Sequence, residues 1–232
     1  MTEYLFEPPK QPSLAVEGEV ARYPVGRIFC VGRNYAAHAA EMGNEVDREA
    51  PFYFTKSQHA VLESGGVLPY PPGSQDVHHE MECVVALGAS VFKVDEAEAA
   101  GAVFGYGCGL DMTRRDLQQA AKDKRRPWDL GKDGEGMAVL GPLTRAEAVG
   151  PIGGQAIRLE VNGETRQEAR LSDMIHGINA IIANLSLYYH LQPGDLIMTG
   201  TPAGVGPVAV GDHLVGEIEG LAPVRVAIGA AE

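Results

Sequence analysis

The stretch that most constrains the fold of this chain is "HHEMECVVALG" (78–88), in which two glutamates enter an apolar run. Side chains alternate between the faces of a strand, so Glu80 and Glu82 share one face and lie about 6.5 Å apart. That face continues as Val84 and Ala86, and the opposite face is apolar as well. The run therefore predicts an interior strand with two carboxylates at its mouth, where burial requires a partner for each charge.

Asp111 makes a metal site the better interpretation of these glutamates. It ends the small-residue run "GYGCGLD" and precedes a charged segment, so it also leaves a strand, where ligands commonly bind. Like charges this close repel unless a cation or a proton intervenes, and Mg²⁺ or Mn²⁺ suits an all-carboxylate site. The alternative is that the acids only fringe strand ends in water. Ligation by His78 or His79 would favour zinc, but only His78 shares the glutamates' face.

Two pairs of polar residues share a helix face at a spacing of three. Arg115 and Gln118 lie near the start of the charged helix predicted in "MTRRDLQQAAKDKRR", where a guanidinium, an amide and a positive helix end suit a carboxylate. His38 and Glu41, in "NYAAHAAEMG", join an imidazole to a carboxylate, as a water-activating base requires. Either pair is also common on a solvated helix surface, so neither identifies a site alone.

Composition excludes several classes of protein. The 232 residues are 45% hydrophobic and 22% charged, which suits a soluble globular chain. The net charge of −12 argues against nucleic acid or an anionic membrane as the main partner. The three cysteines, Cys30, Cys83 and Cys108, have no metal-binding spacing and are expected to be buried and reduced. The first residues lack a signal-peptide pattern, so we expect a cytoplasmic protein.

The pattern of segments predicts a mixed α/β, β-dominated fold with short helices. Residues 1–24 contain four prolines and are interpreted as an extended lead-in. Asn162-Gly163 between two alternating runs is the strongest hairpin signal in the chain. The segment "LSDMIHGINAIIANLSLYYHL" has apolar residues at spacings of three and four from Met174 onward, and predicts a helix capped by Ser172. The glycine-rich runs match no nucleotide-binding pattern.

Six segments in order resemble the fumarylacetoacetate hydrolase family, in its small acylpyruvate-hydrolase branch. They are "VGRNYAAHAAEMG", "PFYFTKSQ", "HHEMECVVALG", "GYGCGLDMTRRDLQ", "RPWDLGKDGEG" and "GDLIMTGTPAGVGPV". The resemblance runs from about Ile28 to the C-terminus. It implies the family's β-roll fold, with residues 25–232 as a single catalytic domain, usually in a homodimer. After Lys132 the wording "GKDGEG" departs from that of the branch.

The resemblance also implies roles for the candidate residues. The ligands of Mg²⁺ or Mn²⁺ would be Glu80, Glu82 and Asp111. The water-activating dyad, on a segment that closes over the site, would be His38 and Glu41. The groups that hold the substrate would be Lys132, facing the metal-held oxygens, and Arg115, Gln118 and Thr201 at the 2-oxo acid end.

These roles imply hydrolysis of a C–C bond in an acylpyruvate, with fumarylpyruvate from aromatic breakdown as the preferred substrate. Activated water would attack the acyl carbonyl, while Lys132 and the cation offset the charge of the departing pyruvate enolate. Candidates for binding a second substrate carboxylate are Arg33, Lys56 and Arg126. One alternative is an isomerase or decarboxylase of oxaloacetate on the same site, without an attacking water. Another is a non-catalytic protein that keeps the metal site, for which the dyad would have no use.

Overall fold

Strands dominate the computed structural model, which describes residues 3–41 and 48–231. The strands are β1 (Ser13–Ala15), β2 (Arg22–Pro24), β3 (Ile28–Gly32), β4 (Phe52–Lys56), β5 (Val61–Glu63), β6 (Val67–Pro69), β7 (Val77–His79), β8 (Met81–Leu87), β9 (Val103–Asp111), β10 (Thr113–Arg114), β11 (Ala138–Leu140), β12 (Thr144–Arg145), β13 (Ala156–Val161), β14 (Glu164–Arg170), β15 (Leu196–Met198), β16 (Gly206–Pro207), β17 (His213–Ile218) and β18 (Val224–Gly229). The α-helices are α1 (Ala36–Glu41), α2 (Glu96–Ala100), α3 (Arg115–Asp123), α4 (Asp129–Lys132), α5 (Ala146–Val149) and α6 (Ile178–Ser186). Within this described part, no helix has both the length and the apolar character needed to cross a membrane. The β-dominated mixed fold predicted from the sequence is confirmed.

Two sheets carry most of the strands. In the described ranges, the larger has the order β4-β3-β15-β8-β9-β11-β5, with β12 also paired to β9, and the smaller has the order β14-β13-β17-β18-β6. β8 and β9 pair antiparallel, with Met81 opposite Leu110. At the same end, β7 leads into β8 and β9 leads into β10, and these two flanking strands pair with each other. The residues between them are therefore held by pairing on both sides.

β8 separates two apolar clusters, because its side chains alternate between faces. One face packs against α6 and the smaller sheet, and it consists of Met81, Cys83, Val85 and Leu87. The other face, Val84 and Ala86, packs in a second cluster with Leu14 and Tyr23. All of β8 is buried. The prediction of an interior strand is confirmed, with Glu80 and Glu82 on the same face as Val84 and Ala86, at the start of the strand.

Residues 3–11 are exposed, but the chain that follows them is part of the packed structure. Within the segment predicted as an extended lead-in, β1 and β2 pair as an antiparallel hairpin. Tyr23 is buried, and its hydroxyl donates a hydrogen bond to Leu87 O at 2.8 Å. The division of the chain into 1–24 and 25–232 stays a prediction. The cysteines Cys30, Cys83 and Cys108 are buried and free, as expected.

The hairpin prediction is confirmed, whereas the predicted start of the long helix is wrong. Asn162 and Gly163 join β13 to β14 with φ of 53° and 81°, the positive values that a type I′ turn requires. The segment predicted as a helix capped by Ser172 forms a 3₁₀ turn at Leu171–Asp173, and α6 begins only at Ile178. The chain between them bends at Ile175 and His176 and is held there by the backbone N–H of His176, which donates to Asn34 Oδ1 at 2.8 Å. A tertiary contact thus overrides the apolar periodicity.

Candidate active site

Three carboxylates meet where β8 and β9 leave the larger sheet. The backbone N–H of Asp111 donates to Glu80 O at 2.8 Å, which places these residues opposite each other. Glu82 follows two residues along, on the same face as Glu80. One carboxylate oxygen from each residue lies within 4.8 Å of the others, and all three side chains are buried. The side chains converge as the sequence predicted.

The neighbouring histidines have other partners. His78 Nε2 lies 2.9 Å from Asp76 Oδ1, and His79 Nδ1 lies 3.2 Å from Gln167 Oε1. In the part of the chain that the structure describes, neither histidine belongs to the carboxylate cluster. The cluster therefore offers oxygen ligands alone, which suit Mg²⁺ or Mn²⁺ better than zinc.

Three buried cations neutralise two of the carboxylates. Lys132 Nζ donates to Glu80 Oε2 at 2.7 Å and to Asp111 Oδ2 at 2.8 Å. Lys56 Nζ lies 2.8 Å from Asp111 Oδ1, and Arg115 Nη2 donates to Glu80 Oε1 at 2.5 Å. Against the opposing effect of burial, Asp111 and Glu80 raise the pKa of Lys132. Against the same effect, Lys132 and Arg115 hold the pKa of Glu80 well below its usual value, so these groups stay charged.

Glu82 has no such counter-ion. Its Oε2 accepts a hydrogen bond from the backbone N–H of Gly200 at 2.8 Å, and none of the described lysines and arginines pairs with it. Burial, followed by the charges of Asp111 and Glu80, raises the pKa of Glu82 well above its usual value. A buried carboxylate beside two others is costly, and a divalent cation would relieve that cost. The donor set therefore fits such an ion.

His38 and Glu41 form the predicted pair on α1. His38 Nδ1 lies 3.4 Å from Glu41 Oε2, and both oxygens of Glu41 accept from the backbone N–H of Gly204 at 3.1 Å. Burial lowers the pKa of His38, and Glu80 and Glu41 only partly oppose this. The imidazole is therefore neutral near pH 7, as a proton acceptor must be. Residues 42–47, which continue the segment predicted to close over the site, lie outside the described residues.

The predicted substrate-binding residues lie beside the carboxylates. Arg115 Nη1 donates to Gln118 Oε1 at 2.7 Å. Arg115 Nε is buried and has no hydrogen-bond partner among the described residues. Thr201 Oγ1 accepts a hydrogen bond from Gln167 Nε2 at 2.8 Å. A buried donor without a partner is unusual in a folded protein, and the acceptor oxygen of a ligand would satisfy it.

Most of the predicted residues line one cleft, called here the main cleft. The predicted residues that line it are His38, Glu80, Glu82, Arg115, Gln118, Lys132 and Thr201. Asp111 is fully buried behind Lys132, and Glu41 supports His38 from the side. The structure thus brings the predicted set together, with two members in supporting positions.

Sequence reasoning missed part of the supporting structure. Lys56, a candidate for binding a second substrate carboxylate, is fully buried against Asp111 and donates to Met112 O at 3.1 Å, so that role is wrong. Thr113 Oγ1 accepts from Lys132 Nζ at 2.7 Å. Gln167 joins Thr201 to His79 and gave no signal, because it lies in the polar strand "ETRQEAR".

Gly204 is expected to be essential to the position of Glu41. Its φ is 94°, and a Cβ placed there would lie 2.1 Å from Arg166 O. We therefore expect Gly204→Ala to displace the turn that holds Glu41, with a loss of stability above the roughly 1–3 kcal/mol cost of the backbone conformation alone. Thermal unfolding and activity would measure both effects. Gly211→Ala is the matched control, because its φ is 93° and nothing lies within 4 Å; equal effects of the two substitutions would contradict the prediction.

The fold and the carboxylate cluster agree with a known family. Residues 27–228 match the family described as fumarylacetoacetate (FAA) hydrolase C-terminal. The chain belongs to this family. Its fold is that of the family's C-terminal domain, as the resemblance implied.

Individual relatives are similar over nearly their whole length. The chain is 50% identical over 193 residues to a fumarylpyruvate hydrolase of Ralstonia sp, covering 82% of this chain and 100% of the relative. It is 39% identical over 205 residues to an oxaloacetate tautomerase of Escherichia coli (strain K12), covering 88% and 93%. The crystal structure of fumarylpyruvate hydrolase from Pseudomonas aeruginosa in complex with Mn²⁺ and pyruvate superimposes with a TM-score of 0.95 at 41% identity, covering 98% and 100%.

Proposed function

We propose that this protein is a metal-dependent hydrolase that cleaves a C–C bond in acylpyruvates, converting fumarylpyruvate to fumarate and pyruvate. The observation that carries the proposal is the convergence of three buried carboxylates, one of them without a counter-ion among the described residues, beside a cleft that also contains a neutral imidazole. The relative with 50% identity is a fumarylpyruvate hydrolase, which supports this substrate.

Glu80, Glu82 and Asp111 would hold the divalent ion, Mg²⁺ or Mn²⁺. When bound, the ion supplies a Lewis acid that polarises substrate oxygens and offsets negative charge as it develops. With Glu82 ionised as a ligand, the three carboxylates would be balanced by Lys56, Lys132 and Arg115. A divalent ion would therefore leave a net positive site, which favours an anionic 2-oxo acid.

The side chains of the main cleft account for the remaining chemistry. Arg115, Gln118 and Thr201 would bind the carboxylate and keto oxygen of the substrate. His38 has its Nδ1 turned to Glu41, so its Nε2 would take the proton of the attacking water. The water oxygen bonds to the acyl carbonyl carbon, the C–C bond breaks, and its electron pair leaves on the pyruvate enolate. The ammonium of Lys132 would offset that charge, and protonation of the enolate carbon completes the products.

An assay of the purified protein with several substrates tests this proposal. With Mg²⁺ or Mn²⁺ present, we expect the enol absorbance of fumarylpyruvate to disappear and equal amounts of fumarate and pyruvate to form. Acetylpyruvate, maleylpyruvate and oxaloacetate complete the panel. No turnover of any acylpyruvate would contradict the proposal. Turnover of oxaloacetate alone would favour the second candidate, an isomerase or decarboxylase, for which the relative that is an oxaloacetate tautomerase is the supporting observation.

The cellular setting is part of the proposal. An enzyme with this substrate would act in the breakdown of aromatic compounds, in the cytoplasm. We also propose a homodimer, in keeping with the family resemblance. Light scattering on the purified protein tests the dimer, and a mass equal to one chain would contradict it.

A further inference from the structure

A lysine that the proposed mechanism does not use lies on the same face of α3 as the substrate-binding pair. Arg115, Gln118 and Lys122 follow one another at spacings of three and four, and all three line the main cleft. The Lys122 ammonium lies 5.0 Å from the centre of the Trp128 ring. It forms no ion pair with any carboxylate of the described residues. The ammonium therefore lies over an aromatic face and has no carboxylate partner among the described residues.

The surroundings of Lys122 are mostly cationic. Burial, together with the charges of Arg115, Arg33 and Lys132, lowers its pKa to about 8, with Glu80 acting in the opposite direction. Arg33 also lines the main cleft, is exposed, and has a φ of 58°, which is rare for a residue other than glycine. Two cations that pair with no carboxylate of the described residues, at the wall of one cleft, favour an anion near both.

Lys122 lies further along α3 than Arg115 and Gln118, the residues proposed to bind the 2-oxo acid end of the substrate. Helical rise places Lys122 about 6 Å beyond Gln118 and about 10 Å beyond Arg115 along the axis. At this separation, the long side chains of Arg115 and Lys122 can reach the two carboxylates at opposite ends of an extended seven-carbon dicarboxylate. A monocarboxylic acylpyruvate would leave Lys122 without a partner.

We propose that Lys122, together with Arg33, binds the second carboxylate of the substrate and makes the protein selective for dicarboxylic acylpyruvates. This inference rests on the proposed function, since it assigns the acyl half of the same substrate. It replaces Lys56 in that role, because Lys56 is held by Asp111. Arg126 lines an adjoining cleft with Arg33 but not the main cleft.

Lys122→Met removes the charge and keeps the stem over Trp128. We expect kcat/KM for fumarylpyruvate to fall about 10- to 100-fold, the value of a charge-assisted hydrogen bond. The fall for acetylpyruvate, which has no second carboxylate, should not exceed that of the control Lys124→Met. This control removes the same charge two residues along, at an exposed position that lines neither cleft. Lys122→Arg should restore most of the preference.

A binding measurement separates this inference from the proposed function. Calorimetry would compare fumarate with crotonate, its monocarboxylate analogue, on the unmodified protein and on Lys122→Met. We expect fumarate to bind more tightly to the unmodified protein and the preference to be lost in the variant. Equal losses for both acylpyruvates, or an unchanged preference, would overturn the inference. If the protein hydrolyses neither acylpyruvate, but binds fumarate more tightly than crotonate only when Lys122 is present, the proposed function alone is contradicted.

Discussion

Glu82→Gln is expected to abolish the response of this protein to Mg²⁺ and Mn²⁺ and, with it, hydrolysis of acylpyruvates. Glutamine keeps the shape of the side chain and an acceptor for the N–H of Gly200, but removes the charge that has no counter-ion. We expect activity to fall by about 10²–10³-fold, because a bound metal contributes several kcal/mol to stabilising developing charge. The same change should stabilise the metal-free protein at pH values above the raised pKa of Glu82, where the unmodified side chain must carry an uncompensated buried charge.

Thermal unfolding with and without metal measures both parts of this prediction. Metal should raise the Tm of the unmodified protein and leave that of Glu82→Gln unchanged. Because the folded pKa of Glu82 is raised above its ordinary value of 4.5, its contribution to stability is present below that pH and lost as pH rises through the folded pKa. The variant should lack this decline. Glu168→Gln, at an exposed position, is the control, and a metal response surviving in Glu82→Gln would refute the metal site.

His38→Ala is expected to separate hydrolysis from chemistry that needs no attacking water. Loss of a positioned base should lower kcat for fumarylpyruvate by about 10²–10⁴-fold. Any decarboxylation of oxaloacetate on the same site should survive comparatively intact. Rates of both reactions, measured on the same preparation, test this division. His213→Ala, at an exposed position, is the control, and equal loss of both reactions would mean that His38 has another role.

The pH profile of the unmodified protein tests the same assignment. Because burial lowers the pKa of His38 below its usual 6.5, the neutral form persists into mildly acidic solution. We expect kcat/KM to fall only as pH drops through this lowered pKa, and Glu41→Gln to move the acidic limb to still lower pH by removing an opposing charge. A limb that does not move in Glu41→Gln would contradict the pairing.

The position of the three carboxylates could be predicted from the sequence, because it depends on local geometry. Strand alternation alone placed Glu80 and Glu82 on one face, and the end of a small-residue run placed Asp111 at a strand exit. The partners of these groups could not be predicted in the same way. Lys56 and Lys132 reach Asp111 from β4 and α4, and neither spacing nor composition contains that information.

Lys122 shows the other limit of sequence reasoning. It lies in the charged run "AKDKRR", in which the sequence alone does not distinguish one basic residue from another as a substrate-binding group. Only the direction of the α3 face distinguishes it from Lys124. The late start of α6 has a similar origin, because the contact of His176 with Asn34 joins residues distant in the sequence.

The division of β8 between two apolar clusters restricts how genes for such proteins can change. One residue inserted or deleted between Gln75 and Glu80 would either carry the glutamates to the opposite face or break the pairing of β7 with β10. The first outcome would turn the carboxylates toward the cluster that contains Met81 and Cys83, and the second would remove the strand pairing beside the site. Insertions and deletions are therefore tolerable only at turns such as Asn162-Gly163. The sequences of related proteins are expected to align across β8 without gaps.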